Sequence, residues 1–156
     1  LPLLNDQATG RRKARGARCQ ARVGTGFCCR VVVEIQSMEK VSSYKDLLVW
    51  QRSMDLVETV YRTTAKFPPA EQWGLISQMR RAAVSVPSNI AEGYGRQATG
   101  EYRHHLSMGR GSLLELETQV LLCRRLKYLE AADADAVLTE IEEISKMLAS
   151  LISKLV

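Results

Sequence analysis

Arg80-Arg-Ala-Ala-Val-Ser-Val-Pro-Ser-Asn-Ile-Ala-Glu-Gly-Tyr-Gly-Arg96 is the stretch whose reading decides the fold, because it joins a helical period to an internal proline and a row of polar groups. At about 100° per residue, Leu75, Met79, Ala82, Val86 and Ile90 fall within one arc, the mark of a core-facing helix side. Arg81, Ser85, Ser88 and Glu92 fall opposite. Arg80, Val84 and Ala91 lie between the two arcs, so the apolar character is wider than one core contact needs. Pro87 removes a backbone donor and crowds the carbonyl four residues back, which predicts a kink near Ala83. Asn89, toward the edge of the apolar arc, is placed to satisfy the carbonyl that Pro87 frees. Gly93 and Gly95 are expected to end the helix through their permissive backbone. The polar group Arg81, Ser85, Asn89 and Glu92 reads first as a network fixing geometry where subunits meet, and second as a ligand contact.

Three further helices flank this one. The first is expected from Tyr44 to about Lys66, with Ser43 as N-cap and Asp46 supporting the first turn. Its main stripe is Leu47, Trp50, Met54, Val57 and Tyr61, and a second stripe, Val49, Leu56 and Val60, lies more than a quarter turn away. Pro68 and Pro69 close that helix, because the residue before a proline is pushed out of helical geometry. The second helix then runs from about Glu71 to Glu92, with Trp73 packing on the end of the first. Thr99 is the expected N-cap of a third helix reaching about Leu126. Its seam, Tyr102, Leu106, Gly109, Leu113, Leu116, Val120 and Cys123, alternates steps of four and three, the spacing of shallow antiparallel packing. Gly109 in that seam lets a neighbouring backbone approach. The fourth helix, about Ala134 to Leu155, carries Val137, Ile141, Ile144, Leu148, Leu151 and Leu155 on one face. Acids lead it and Lys146 and Lys154 close it, as the helix dipole favours.

Four amphipathic helices with short connections predict an all-α, antiparallel up-down-up-down four-helix bundle. The extra apolar positions, Val49, Leu56 and Val60 on the first helix, Val84 and Ala91 on the second, Leu114 and Leu121 on the third, exceed what one core absorbs. Such a surplus predicts self-association.

Ser85-Val86-Pro87-Ser88-Asn89-Ile90-Ala91-Glu92-Gly93, with Arg96 and with Gly111-Ser112-Leu113-Leu114-Glu115-Leu116-Glu117, resembles the four-helix-bundle proteins encoded in intervening sequences of bacterial large-subunit ribosomal RNA. The accessory variability protein of diversity-generating retroelements is a similar relative. The likeness extends over roughly Tyr44 to Leu155. It implies a homopentamer, an association with ribosomal-RNA intervening sequences and, through the retroelement relative, partnership with a reverse transcriptase.

A chain of 156 residues, 46% hydrophobic and 25% charged, has the balance of one soluble globular domain. No apolar run approaches the roughly 20 residues of a bilayer-spanning helix, so no membrane partner is expected and the compartment is read as cytoplasmic. The formal charge of +5 is unevenly placed. Before Met38 stand Arg11, Arg12, Lys13, Arg15, Arg18, Arg22 and Arg30 against Asp6 and Glu34, whereas from Met38 onward bases and acids balance. Residues 1–37 therefore form a separate basic leader and residues 38–156 the bundle. The leader reads either as a phosphate-gripping arm or, preferably, as a segment ahead of the true start at Met38. Within it only Val31-Val32-Val33-Glu34-Ile35 has strand character, and its pattern is not that of a secretory signal. Cys19, Cys28 and Cys29 also lie there without the spacing of a zinc site, and Cys123 reads as a small buried hydrophobe.

Catalytic chemistry has little to stand on. Glu101 and His104 have the Glu-x-x-His spacing of di-iron bundles, but no second copy exists and His104 points away from the seam. His105 is expected to pack or hydrogen-bond. Gly93-Tyr-Gly95-Arg96 and Gly109-Arg-Gly111-Ser112 lack the lysine and hydroxyl of a phosphate loop and follow no strand. Neither a metal, a cofactor nor a catalytic residue is expected. Charge partition is the stronger clue: between Gln72 and Lys127 the bases Arg80, Arg81, Arg96, Arg103, Arg110, Arg124, Arg125 and Lys127 outnumber the acids, and from Tyr128 onward acids dominate. Arg103, Arg110 and Arg124 are heptad-spaced with Glu117 interrupting. A phosphate-contacting row that includes Arg80, Arg96, Arg125 and Lys127 is one reading; ion pairing with Glu92, Glu115, Glu117 or the acidic helix is the other. The expectation is a non-catalytic, oligomeric bundle engaging RNA, DNA or a nucleic-acid-processing partner. The competing expectation is a protein-interaction module without nucleic-acid affinity.

Overall fold

Ser43 does cap a helical turn, but the turn it caps is short. In the computed structural model, which describes residues 42–155, a single 3-10 turn covers Tyr44–Asp46. Ser43 and Asp46 form a reciprocal capping box there. Leu47 is extended, and the α-helix proper, α1, spans Leu48–Thr64. A second 3-10 turn at Pro69–Glu71 leads to α2, Leu75–Tyr94. The remaining helices are α3, Thr99–Arg125, and α4, Ala131–Lys154. The proposed leader, its three cysteines and the boundary at Met38 lie outside the described residues.

Every packed pair of helices runs antiparallel. Thr64 at the end of α1 meets Arg80 near the start of α2, while Tyr44 ahead of α1 meets Tyr94 at the end of α2. Cys123 late in α3 touches Met79 early in α2, and Tyr102 early in α3 touches Gly93 late in α2. Lys66 and Asp133 lie 3.6 Å apart where α1 ends and α4 begins. Among the described residues, α1 and α3 make no close backbone approach, nor do α2 and α4, so the helices stand at the corners of a square. This is the up-down-up-down bundle that the periodicity predicts.

The core is filled by Leu56, Met79, Val86, Ile90, Leu106, Leu113, Leu116, Ile144 and Leu148, all essentially inaccessible. Burying each contributes about 1.5–3 kcal/mol. On α2, α3 and α4 the buried positions follow the predicted stripes, although Leu75, Tyr102 and Leu151 are only half-buried at their ends.

On α1 the centre of the buried face is shifted: Leu47, Trp50 and Val57 of the expected main stripe are only half-buried against the core. Val49, Leu56 and Val60, taken as surplus, face the core, whereas Met54 and Tyr61 are exposed. The inward face includes Ser53 and Thr64, whose hydroxyls donate to the Val49 and Val60 carbonyls at 2.6 and 2.8 Å. A hydroxyl bonded back to its own helix is satisfied without solvent, so a residue counted as polar sits on the buried side. Val49, Leu56 and Val60 therefore add nothing to an outer surface. Val84, Leu114 and Leu121 are exposed as expected, and Ala91 is half-buried.

Helix α2 runs through Pro87, which is itself buried. Two details around it differ from expectation. The Asn89 amide donates to the Ser85 carbonyl and hydroxyl, at 2.8 and 3.0 Å, and not to the carbonyl of Ala83. Gly95 caps the helix in ordinary right-handed geometry, so glycine freedom is not what ends it. Gly93 is required for space: a Cβ there would lie 2.8 Å from both Tyr102 Cδ2 and His105 Cβ. At Gly109 an added Cβ would stand 3.5 Å from the Val86 carbonyl oxygen and Asn89 Cβ, an ordinary contact. Gly93→Ala should therefore destabilise the bundle by about 1–3 kcal/mol through overpacking. Gly109→Ala should be neutral or stabilising by up to about 1 kcal/mol, since alanine is the better helix former. Urea unfolding of the two variants checks the contrast.

The end of α3 is a Schellman cap. Tyr128 N–H donates to the Cys123 carbonyl at 2.9 Å and Lys127 N–H to that of Arg124 at 3.2 Å. Lys127 occupies the left-handed position, with φ of 59°. A side chain there costs about 1–2 kcal/mol relative to glycine. Lys127→Gly should raise the thermal midpoint, an outcome that differential scanning calorimetry reads directly.

Candidate nucleic-acid interface

The arginines of α2 and α3 separate into those that are engaged and those that are not. Arg80, half-buried, donates from Nε to Thr64 Oγ1 at 2.9 Å, and its guanidinium lies 4.6 Å from the centre of the Tyr61 ring. Arg96 binds Glu92 at 2.7 Å and Arg124 binds Asp135 at 3.0 Å. Arg103 and Arg110 are exposed, two turns apart on α3, and make no ion pair among the described residues. Arg125 and Lys127 are exposed at the end of that helix. The heptad row is thus cut at Arg124 by the acidic helix: the ion-pairing reading applies to Arg96 and Arg124, while Arg103 and Arg110 are left without a carboxylate partner among the described residues.

Leu114 and Leu121 stand on the same side of α3 as Arg103 and Arg110, within about 40° on a helical projection. That side is consequently mixed, two cations followed by two exposed leucines.

The polar group on α2 does not form one network. Asn89 is tied to Ser85, and Ser85 receives the Ser112 hydroxyl from α3 at 2.9 Å, a link between helices that the sequence reading did not identify. Glu92 turns to Arg96 instead and lies 3.9 Å from His105 Nε2. Arg81 is exposed apart from both. Glu101 and His104 are exposed as well, and among the described residues no three metal-ligating side chains stand together.

Two hollows open on the α1–α2 face. The smaller, about 280 Å³, lies between Trp50, Met54 and Val57 of α1 and Val84, Pro87 and Ala91 of α2. The larger, about 460 Å³, is bordered by Tyr61, Trp73, Arg80 and Arg81. Trp73, expected to pack on the first helix, is instead 90% exposed. The reason is local. The Pro69–Glu71 turn delays the helix, and Glu71 Oε2 accepts from Leu75 N–H at 3.1 Å, so α2 starts after Gly74 and leaves Trp73 in the connection. Trp73 and Tyr61 are thus surface residues that hydrophobicity alone assigned to the interior; the Trp-Gly pair following the two prolines was the available signal.

Titratable groups inside the bundle are few. Burial, with a smaller contribution from Glu71, pushes the Cys123 thiol up to about 11, and its sulfur lies 3.5 Å from that of Met79. It is therefore a protonated core residue at neutral pH. Glu140 on α4 is half-buried, with one carboxylate oxygen enclosed and unbonded. Desolvation raises its pKa, against a hydrogen bond from Thr59 and the attraction of Arg62 and Arg52.

These features define a small all-α protein: an antiparallel four-helix bundle with a partly uncompensated basic side and exposed aromatic and aliphatic residues. Residues 45–150 match the model of the 23S rRNA-intervening sequence protein family, and the chain belongs to that family. A crystal structure of a protein of unknown function from the S23 ribosomal protein family of Bacteroides thetaiotaomicron shares its fold. The similarity has a TM-score of 0.62 at 20% identity and covers 67% of this chain and 98% of that one. No curated protein matches the chain in sequence. Among the described residues, no helix is long and apolar enough to cross a membrane.

Because the folded pKa of Glu140 lies above its unfolded value, the folded state is penalised as pH rises through that range. Glu140→Gln should be more stable than wild type near pH 7. The advantage should shrink as pH falls through the raised folded value toward the ordinary 4.5 and be gone below it, where both states of the wild type bind the proton. Chemical denaturation of both proteins across that range gives the comparison.

Proposed function

We propose that the chain is a non-catalytic, cytoplasmic bundle that assembles into a closed homo-oligomer, a homopentamer, and engages nucleic acid through the outer sides of α2 and α3. The observation that carries this reading is the pair Arg103 and Arg110, exposed on one side of α3 without a carboxylate partner among the described residues. Unpaired guanidiniums keep their full charge for phosphate, whereas Arg96 and Arg124 are already neutralised. Membership of a family encoded within ribosomal RNA genes supports RNA as the first ligand to test; DNA and an adjacently encoded reverse transcriptase are the alternatives. Assembly would repeat the arginine pair around a ring and turn weak contacts into an avid one. Exposed Leu114 and Leu121, beside the arginines, supply apolar area for that assembly.

The same two leucines favour a second reading, a protein-interaction module whose arginines steer a protein partner. Salt separates the two. A protein beginning at Met38 should bind structured RNA near 50 mM salt, with affinity falling log-linearly as salt rises. Arg103→Ala with Arg110→Ala should weaken binding and reduce the salt slope by about two phosphate contacts per subunit. Absence of binding at low salt, or an unchanged slope in the double variant, would remove the nucleic-acid reading in favour of the protein module.

A further inference from the structure

We propose that the hollow at the start of α2 is a stacking site for an unpaired nucleic-acid base, with Trp73 as its platform and Arg80 and Arg81 as its phosphate contacts. The proposal rests on the nucleic-acid reading above and names the form of ligand, single-stranded RNA or DNA. An indole 90% exposed leaves a large apolar surface in water, an expensive arrangement unless something covers it. The hollow beside it holds about 460 Å³, within the size range of small-ligand sites.

What borders Trp73 selects the occupant. Two guanidiniums line the hollow and, among the described residues, no carboxylate does, so the site is complementary to an anion. Arg80 is already positioned: its Nε bond to Thr64 and its stacking on Tyr61 fix the guanidinium plane before any ligand arrives. Fixing it beforehand lowers the entropy cost of binding. An aromatic face beside guanidiniums is the composition that binds single strands, since every base offers a π-face and every linkage a phosphate. Duplex RNA would offer the phosphates but no free base. Neither Arg103 nor Arg110 lines this hollow, so it is separate from that pair.

The protein has two tryptophans, and Trp50→Phe leaves Trp73 as the sole emitter. Titration with a short oligoadenylate should quench that emission, whereas inorganic polyphosphate, which matches charge without bases, should not. Trp73→Ala, at an exposed position outside the helices, should keep the helical circular dichroism. It should lose about ten-fold in oligoadenylate affinity, with the salt slope unchanged. Arg103→Ala with Arg110→Ala should instead lower the slope and leave quenching at saturation intact. Oligoadenylate binding that is unaffected by Trp73→Ala overturns the stacking site alone. Equal quenching by polyphosphate does the same. Emission already shielded from acrylamide in the free protein would place a second copy on the indole and also overturn it. Failure of every nucleic acid to bind overturns the interface reading together with this one.

Discussion

The close approach of α2 and α3 is the constraint from which the rest of the molecule follows. It depends on Gly93, where a side chain would strike Tyr102 and His105, and on Ser85 bonded to Ser112 across the seam. With these two helices held together, Met79 and Cys123 meet at one end of the seam and Tyr94 and Tyr102 stack edge to face at the other. Helices α1 and α4 then close the square, and their own buried residues complete one core. Polar groups inside it are handled locally, each hydroxyl of Ser53 and Thr64 returning to a carbonyl of its own helix. The seam is thus specified by shape and by a few satisfied hydrogen bonds, and the core supplies the stability.

That same packing decides which chemistry reaches the surface. Pressing the apolar side of α3 onto its neighbours turns Arg103 and Arg110 outward, while proximity of α4 draws Arg124 into an ion pair with Asp135. The net basic character of the middle of the sequence is accordingly reduced in the fold to a few uncompensated positions. The buried thiol of Cys123 and the half-buried carboxyl of Glu140 both have raised pKa values, and for each desolvation within the bundle is the leading cause.

Much of the fold was legible because long amphipathic helices repeat their signal many times. The seam of α3 and the stripe of α4 each recur over several turns, so single ambiguous residues cannot shift them. Helix α1 was harder. Its inward face carries Ser53 and Thr64 and its outward face Met54 and Tyr61, so hydrophobicity read alone, though right that Leu47, Trp50 and Val57 pack on the core, rotates the buried face. Trp73 failed for a related reason: whether a tryptophan is buried depends here on where the helix begins, and the Leu75 N–H bond to the Glu71 carboxylate marks that point. Which arginines are paired was equally out of reach, because Asp135 meets Arg124 only after α4 has folded back. Helical periodicity records the direction in which a residue faces and is silent about what stands opposite.

In the proposed complex nucleic acid meets the α2–α3 side and the Trp73 hollow, and the acidic outer face of α4 stays clear of it. Ultraviolet crosslinking of the protein to a mixed-sequence RNA, followed by peptide mass spectrometry, tests that partition in a single experiment. Crosslinks confined to peptides bearing Trp73, Arg80, Arg103 and Arg110 are the predicted result. Crosslinks centred on the α4 peptides that carry Asp135, Glu142 and Glu143 would contradict it.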